Sequence, residues 1–340
     1  MKRNSTAALM SLLYLWLGFA GYSSAGHPPA GQGSCTEIDI QCAKTVSAAV
    51  AADGRIWLAW VAGQHLYVNY SDDRGQTLSA PTRVNAKKEV IAARGENRPK
   101  LATDQAGNLY LSWVKKLPEK WTSEIRFTWS ADQGKSFSQP ITINDDKRIT
   151  SHSFNEMLVT DNGQVSISWL DGRRGLAAKE QEKPYTGSAI YLASFNPAET
   201  STAPKNTHLI DGSCVCCRLA MALDQQELPI IMWRHIFGDN YRDHALLVFN
   251  DKEKPRELRR VSFENWQVDG CPHHGPTLVT QSHDYKQRIH MAWFNDAPKA
   301  SGLFYAHSDD EGKNLSTALH IADHTTNPSH PHLALTAAGK

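Results

Sequence analysis

One short repeated pattern constrains the fold of this chain more than any other feature. Five apolar segments end in tryptophan and recur every 53 to 64 residues, namely Leu58-Ala59-Trp60, Leu111-Ser112-Trp113, Ile167-Ser168-Trp169, Ile231-Met232-Trp233 and Met291-Ala292-Trp293. Self-similarity at such a period is typical of repeat architectures, in which each repeat is one supersecondary unit. The segments have the length of short β-strands, so an all-β repeat protein is expected.

Turn residues define the strands within each repeat. Asp53-Gly54 and Asn162-Gly163 precede two of the tryptophan segments, and a short apolar strand precedes each turn. A third strand, such as residues 125–129, follows a variable loop. The pattern therefore predicts four short strands per unit. Four-stranded units of roughly 40 to 60 residues are typical of β-propeller blades, and an array of β-sandwiches is the alternative.

The repeats predict an all-β, six-bladed-type β-propeller with four-stranded blades. An N-terminal lead at residues 26–41 precedes it, and the last blade is expected to be incomplete. The predicted blades occupy residues 42–90, 91–149, 150–212, 213–268 and 269–325, with a partial sixth blade at 326–340.

Residues 1–25 have the pattern of an export signal. Lys2 and Arg3 precede an apolar run over residues 7–20, and Ser23-Ser24-Ala25 supplies small residues for cleavage. We therefore expect a periplasmic or secreted protein that does not span a membrane after signal removal. The formal net charge is +1 and no basic stripe is visible, which argues against nucleic acid as a partner.

The most unusual residues begin successive predicted blades. Cys214-Val215-Cys216-Cys217 begins blade 4, and Cys271-Pro272-His273-His274 begins blade 5. Equivalent positions of neighbouring blades converge at one mouth of a propeller channel, so we expect these side chains to meet there. Cys42, His330 and His332 are expected near the same rim. Residues two apart on a strand share a face, so Cys217 and His274 would point between blades unless a bulge re-aims them.

The first interpretation of this cluster is a transition-metal site. Thiolates and imidazoles together select copper or zinc over magnesium or calcium. Copper is favoured because the protein is exported and rich in histidine. The predicted ligands are Cys214, Cys216, Cys217, Cys271, His273, His274 and His235. For His235, which follows a strand, a half-buried structural histidine is the simpler interpretation.

The second interpretation is a set of structural disulfides. The chain has six cysteines and an oxidising compartment is expected. Cys271 would then pair with a cysteine of blade 4, and Cys35 with Cys42. Adjacent cysteines such as Cys216 and Cys217 rarely bridge each other, which weakens this interpretation. Both kinds of site can also coexist.

Arg242, Asp243 and His244 lie in a loop that is predicted to open on the same face. A salt bridge and loop cap is the simpler interpretation. The alternative is that Asp243 orients a metal-binding or acid–base histidine, with His235, Arg242 and His244 also around the metal. The repeated tryptophans are expected to form the blade cores.

Three segments resemble the Asp-box, S-x-D-x-G-x-[ST]-[FW], of the sialidase superfamily. They are residues 71–78, 130–137 and 308–315, in which the Asp and Gly positions are Asp73, Gly75, Asp132, Gly134, Asp310 and Gly312. The resemblance implies a propeller in which these boxes are structural and lie on the face away from the site. The C-x-C-C and C-P-H-H motifs are similar to an exported bacterial sialidase-like subgroup.

The resemblance to sialidases is weaker at the active site. Sialidases use three arginines, one in an F/Y-R-I-P motif, together with a Tyr–Glu pair and an acid–base Asp. Asn97-Arg98-Pro99 is the nearest match to that motif, and no Tyr–Glu pair is identifiable. If the chain hydrolyses glycosides, the resemblance implies Arg98 as a catalytic residue.

Three functions remain open from the sequence. The first is metal binding or metal-dependent redox activity, with a small molecule, a metal ion or an exported redox protein as the partner. The second is a sialidase-like exo-glycosidase. The third is a non-catalytic propeller that binds glycans or a protein and is cross-linked by disulfides.

Overall fold

The computed structural model describes residues 38–200, 202–251, 254–255, 257–283, 286–323 and 329–335. The predicted export signal, most of the N-terminal lead and Cys35 lie outside these residues. In the part of the chain that is described, no helix is long and apolar enough to cross a membrane.

The described residues form five antiparallel sheets. The first contains β1 (Val46–Val50), β2 (Ile56–Ala62), β3 (His65–Ser71) and β4 (Thr82–Arg83). The second contains β5 (Lys100–Thr103), β6 (Leu109–Lys116), β7 (Ser123–Ser130) and β8 (Ile141–Thr142). The third contains β9 (His152–Val159), β10 (Val165–Asp171), β11 (Ser188–Phe195) and β12 (Thr207–Ser213).

The remaining sheets follow the same plan. The fourth contains β13 (Ala220–Leu223), β14 (Pro229–Arg234), β15 (His244–Asp251), β16 (Lys254–Pro255) and β17 (Arg259–Arg260). The fifth contains β18 (Thr277–His283), β19 (Lys286–Ala297), β20 (Ala300–Ser308) and β21 (Leu319–Asp323). One helix, α1 (Arg173–Glu180), lies between β10 and β11, and a 3₁₀ turn covers Ile40–Cys42.

Each sheet is an up-and-down meander whose strands lie side by side in chain order, with β17 also pairing with β15. The first strands of successive sheets pack against one another, from β1 through β5, β9 and β13 to β18. Radial repetition of four-stranded meanders around their first strands is the arrangement of a β-propeller.

The repeated tryptophans form the core of each sheet, as expected. Each lies on the second strand and is at most 1% exposed. An indole buries a large apolar area, but its N–H still needs an acceptor. In chain order, the five N–H groups donate to Asn69, Glu89, Asp171, His235 and Glu264 over 2.7 to 3.4 Å.

The predicted sixth blade corresponds to a short segment in the structure. Residues 329–335 belong to no strand, and the backbone N–H of Leu333 donates to the Thr277 hydroxyl at 3.2 Å. The rest of that predicted blade lies largely outside the described residues. The number of blades and their exact boundaries stay predictions.

The three segments that resemble the Asp-box form turns with one hydrogen-bond pattern. In the second sheet, the Ser130 hydroxyl accepts from the Gly134 N–H at 2.8 Å and donates to Asp132 at 2.7 Å. Asp132 also accepts from the Ser136 N–H and hydroxyl at 2.9 and 2.5 Å. The aspartate therefore ties both ends of the turn together.

The same hydrogen bonds form around Asp73 and around Asp310. In the Asp310 turn, the side-chain amide of Asn314 takes the place of the hydroxyl donor. Hydrogen bonds from the residue four positions on, through its side chain and its backbone, lower the pKa of Asp73 and Asp132 to about 2. These turns join third to fourth strands. In a four-stranded meander they lie at the opposite end from the second-to-third loops.

Two glycines of these turns allow a matched test of the fold. Gly75 and Gly134 have φ of 88° and 76°. A Cβ at Gly134 would lie 2.9 Å from the Trp57 ring, whereas a Cβ at Gly75 would meet nothing within 4 Å. We expect Gly75→Ala to lower the free energy of unfolding by about 1 kcal/mol through its positive φ. Gly134→Ala should lose about 1 to 3 kcal/mol more, because the ring must move.

Urea unfolding of the two variants measures this difference. Equal losses of unfolding free energy in the two variants would show that the turn containing Gly134 does not pack against Trp57 of the first sheet as described.

Candidate functional site

The cysteine-bearing segments are connections between sheets. Residues 214–219 join β12 to β13, and residues 261–276 join β17 to β18. In a four-stranded antiparallel meander, these connections lie at the same end as the loops between second and third strands. Residues 172–187 and 235–243 are such loops, so all four segments lie on the face expected from the sequence.

Cys214, Cys216 and Cys217 form a buried cluster that we call the inner triad. Their exposed fractions are 0%, 4% and 2%. The Sγ atom of Cys214 lies 3.9 Å from Sγ of Cys216 and 3.6 Å from Sγ of Cys217. Sulfurs that share one ion through bonds of about 2.3 Å lie roughly 3.8 to 4.0 Å apart. The 3.9 Å separation lies within this range and the 3.6 Å separation is slightly shorter, so the spacing is close to that of sulfurs around a single ion.

Cys216 also belongs to a second group, the outer triad, with Cys271 and His273. As in the inner triad, the ligand atoms all lie within 4.8 Å of one another. Cys271 and His273 are exposed. The backbone of His273 has φ of 56°, in the left-handed region that is uncommon for non-glycine residues.

The state of the cysteines separates the two interpretations of the sequence. Cys214, Cys216, Cys217 and Cys271 all carry free thiols. The Cys214 sulfur lies 3.9 Å from that of Cys216 and 3.6 Å from that of Cys217, far beyond the S–S bond of about 2.05 Å. The expected disulfide between blades 4 and 5 is therefore not formed in the structure. Cys42 is disulfide-bonded, and its expected partner lies outside the described residues.

The conformation of the inner triad differs from the strand that the sequence suggested. Residues 214–219 form a turn and its extension, and β13 begins at residue 220. Cys217 is consequently buried with Cys214 and Cys216, whereas Val215 is 45% exposed. The expectation that Cys217 points between blades is wrong, because two-residue alternation holds for strands and not for turns.

The hydrogen bonds of the inner triad favour a single thiolate at Cys214. Bonds from the thiols of Cys216 and Cys217 lower the pKa of Cys214, and the Arg234 charge lowers it further. The same bonds to Cys214 raise the pKa values of Cys216 and Cys217. Arg242 also points at this sulfur, with its Nη1 3.5 Å from Cys214 Sγ.

Arg234 is a fully buried cation beside this cluster. Its guanidinium donates to the backbone carbonyls of Arg242, His274 and Phe294 at 2.5, 3.0 and 2.7 Å. The Trp266 ring covers it at 4.7 Å. These acceptors are neutral, so the charge remains available to stabilise thiolate in the inner triad.

Three of the predicted histidines are not grouped with the thiols in the part of the chain that the structure describes. His235 accepts from the Trp233 indole at 3.3 Å, and the His274 ring lies 4.3 Å from that of Phe294. Burial lowers the pKa of both histidines to about 4. His244 is 0% exposed, and burial lowers its pKa well below the usual range. All three are therefore held neutral.

Asp243 makes the contacts of a salt bridge and loop cap, the simpler interpretation of the sequence. Its buried carboxylate pairs with Arg260 and accepts the backbone N–H groups of Asn265 and Trp266 at 3.1 and 3.5 Å. It fixes the loop that carries Trp266. Because these partners occupy the carboxylate, they favour this interpretation over the alternative in which Asp243 orients a histidine.

Arg98, the predicted sialidase-type arginine, is bound to the backbone. Its guanidinium donates to the carbonyls of Gly95 and Val46 at 2.7 and 3.3 Å. These bonds tie the segment before β5 to β1. The carbonyls use two of its donors, and the group is only half-buried.

Glu96 supports the site and was not identified as a functional residue from the sequence. It is 7% exposed and accepts the backbone N–H groups of Arg218 and Gly275 at 3.2 and 2.9 Å. It thereby joins the segments that carry the inner and outer triads. Gly275 is needed there because a Cβ would lie 2.2 Å from Arg218 Cγ. A single acidic residue before Asn97-Arg98 gives no recognisable sequence signal for this role.

A second buried polar network surrounds His152, at the start of β9. Its Nε2 lies 2.9 Å from Asp146 and 3.6 Å from Asp171, and its Nδ1 contacts the Ser123 carbonyl at 2.7 Å. Burial alone would lower the pKa of His152. The hydrogen bond to Asp146 and the charges of Asp171 and Asp146 outweigh burial and raise it.

Comparisons with solved structures identify the architecture. An α-L-arabinanase from Penicillium chrysogenum matches with a TM-score of 0.58 and 13% identity over 90% of this chain and 85% of its own. An α-L-arabinofuranosidase from Fusarium graminearum matches with a TM-score of 0.57 and 12% identity over 92% and 88%. The chain is a β-propeller. No known family model and no curated protein matches it.

A sialidase also shares the fold. NanB from Streptococcus pneumoniae matches with a TM-score of 0.52 and 10% identity, over 80% of this chain and 60% of its own. The chain thus shares its fold with these three enzymes. Identities of 10% to 13% show the fold alone.

The pKa of His152 predicts how stability depends on pH. The pKa of His152 is higher in the folded protein than its value of about 6.5 in the unfolded chain, so protonated His152 stabilises the fold at low pH. This stabilisation is lost as the pH rises through the folded-state pKa. We expect His152→Gln to lower the free energy of unfolding by roughly 1 to 3 kcal/mol at pH 6 and by less at pH 9. Denaturant unfolding at both pH values measures it, with Asp146→Asn expected to show the same trend. A loss independent of pH would contradict a charged His152.

Because Arg234 donates to three backbone carbonyls, even its replacement by lysine is expected to lower the free energy of unfolding strongly. Lysine keeps the charge but lacks the planar fork that reaches three carbonyls. We expect Arg234→Lys to lower the free energy of unfolding by roughly 2 to 5 kcal/mol, since at least one buried carbonyl loses its donor. Arg98→Lys is the control, because solvent can replace its contacts. If Arg234→Lys and Arg98→Lys shift the urea midpoint equally, the three carbonyl contacts of Arg234 do not stabilise the fold more than the exposed contacts of Arg98.

Proposed function

We propose that the channel mouth of this propeller binds a soft transition-metal ion, with copper favoured over zinc. The observation that carries this proposal is the grouping of four free thiols and one imidazole into two triads whose ligand atoms lie within 4.8 Å. Thiolate and imidazole ligands select copper or zinc over hard cations.

The surroundings of the thiols support metal binding over a purely structural role. A ligating thiol must lose its proton, and the charges of Arg234 and Arg242 favour the thiolate. Phe154 packs against the inner triad and limits its contact with water. Zinc usually takes four protein ligands in structural sites, whereas each group here offers three. Three soft ligands satisfy Cu(I), which favours copper.

Substitution of a shared ligand tests the proposal. We expect the reduced, anaerobic protein to take up Cu(I) and to protect its thiols from alkylation. Cys216→Ser should lower the affinity at least 100-fold, because Cys216 belongs to both triads. His235→Gln is the control, since His235 lies outside them. Competition with a chromophoric Cu(I) chelator measures the affinities.

The proposal fails under two results. One is a wild-type protein that binds neither Cu(I) nor Zn(II) in this competition. The other is an affinity that His235→Gln lowers as strongly as Cys216→Ser does.

Glycoside hydrolysis is the second candidate function, and the shared fold favours it. One residue has the chemistry of a general acid. Burial, followed by the charge of Asp243, raises the pKa of Glu264 above its usual value. Carboxyl groups with raised pKa values protonate leaving groups in glycosidases. However, the carboxylates of Asp243 and Glu96 are occupied by donors of the protein itself.

Hydrolysis assays distinguish the two functions. Fluorogenic α-L-arabinofuranosides and sialosides should show no turnover above the buffer rate with the purified protein. Turnover that is abolished by Glu264→Gln or Arg98→Ala, with the fold intact by circular dichroism, would instead establish the glycosidase.

A further inference from the structure

We propose that the mouth binds two Cu(I) ions that share the thiolate of Cys216. This inference rests on the proposed function and specifies its stoichiometry. One ion lies in the inner triad with Cys214 and Cys217, and the other lies in the outer triad with Cys271 and His273.

The distances favour two ions over one. Around an ion with bonds of about 2.3 Å, no two ligand atoms can be more than roughly 4.6 Å apart. The structure places the five side chains in two groups within 4.8 Å, and Cys216 is their common member. If all five surrounded one ion, they would form a single group. A shared thiolate between two three-ligand sites accounts for this arrangement.

The charges also fit two monovalent ions. Four thiols that bind metal release four protons to solvent and leave four negative charges. Two Cu(I) ions neutralise two of them. Arg234, which is buried, and Arg242, whose Nη1 lies 3.5 Å from Cys214 Sγ, neutralise the other two. Two Zn(II) ions would instead leave two positive charges in excess at a largely buried site, which is costly.

The two triads differ in access to solvent. The inner triad is at most 4% exposed, whereas Cys271 and His273 are exposed. An ion can therefore reach the outer triad directly and pass to the inner triad through Cys216, which both share. The outer ion is expected to exchange faster than the inner one.

A titration of the reduced full chain with Cu(I) alone, without oxygen, tests the stoichiometry. Native mass spectrometry is expected to show two ions per wild-type chain and one ion after Cys271→Ala, His273→Ala or Cys217→Ala. His235→Gln should retain two. Circular dichroism checks that each variant is folded. X-ray absorption of the two-ion form should show scattering between copper atoms, because a shared thiolate holds them close together.

Each result is decisive. One ion per wild-type chain would overturn the two-ion inference and leave the proposed function standing, whereas no bound Cu(I) or Zn(II) would overturn both. Two ions that persist in Cys271→Ala, or two ions without copper–copper scattering, would overturn the shared thiolate.

Discussion

The site depends on one buried cation. Arg234 extends from the end of β14 and holds three carbonyls that belong to the following loop, the segment before β18 and β19. A buried guanidinium is costly unless its donors are satisfied, so these segments are fixed relative to each other. The same charge favours thiolate in the inner triad. Removing the Arg234 guanidinium would release these segments from one another and would also remove a charge that stabilises thiolate in the inner triad.

The sequence predicted the fold because its signal is local and repeated. The tryptophan that recurs on each second strand predicts burial directly, and the structure places all five in the sheet cores. The meeting of Cys216, Cys271 and His273 also followed from the repeat. Their geometry did not. Residues 214–219 form a turn whose shape depends on long-range contacts such as Glu96 with Arg218, and such contacts leave no pattern in neighbouring residues.

The shared fold does not decide the function of this chain. The meander sheets are shared with arabinanases and a sialidase at 10% to 13% identity. Propellers host many chemistries, so function must be argued from the site. The free thiols at one end of the sheets are chemically suited to soft metals, and the carboxylates nearby are engaged in structural hydrogen bonds. The metal site that we propose would account for the free thiols on this propeller scaffold.

Anomalous scattering at the copper absorption edge, from crystals grown with Cu(I) under anaerobic conditions, tests the central claim most directly. The account predicts anomalous peaks within bonding distance of Cys216 Sγ, with Cys214 and Cys217 on one side and Cys271 and His273 on the other. Crystals without a peak at Cys216, or with disulfide bonds among these four cysteines in the reduced protein, would contradict it.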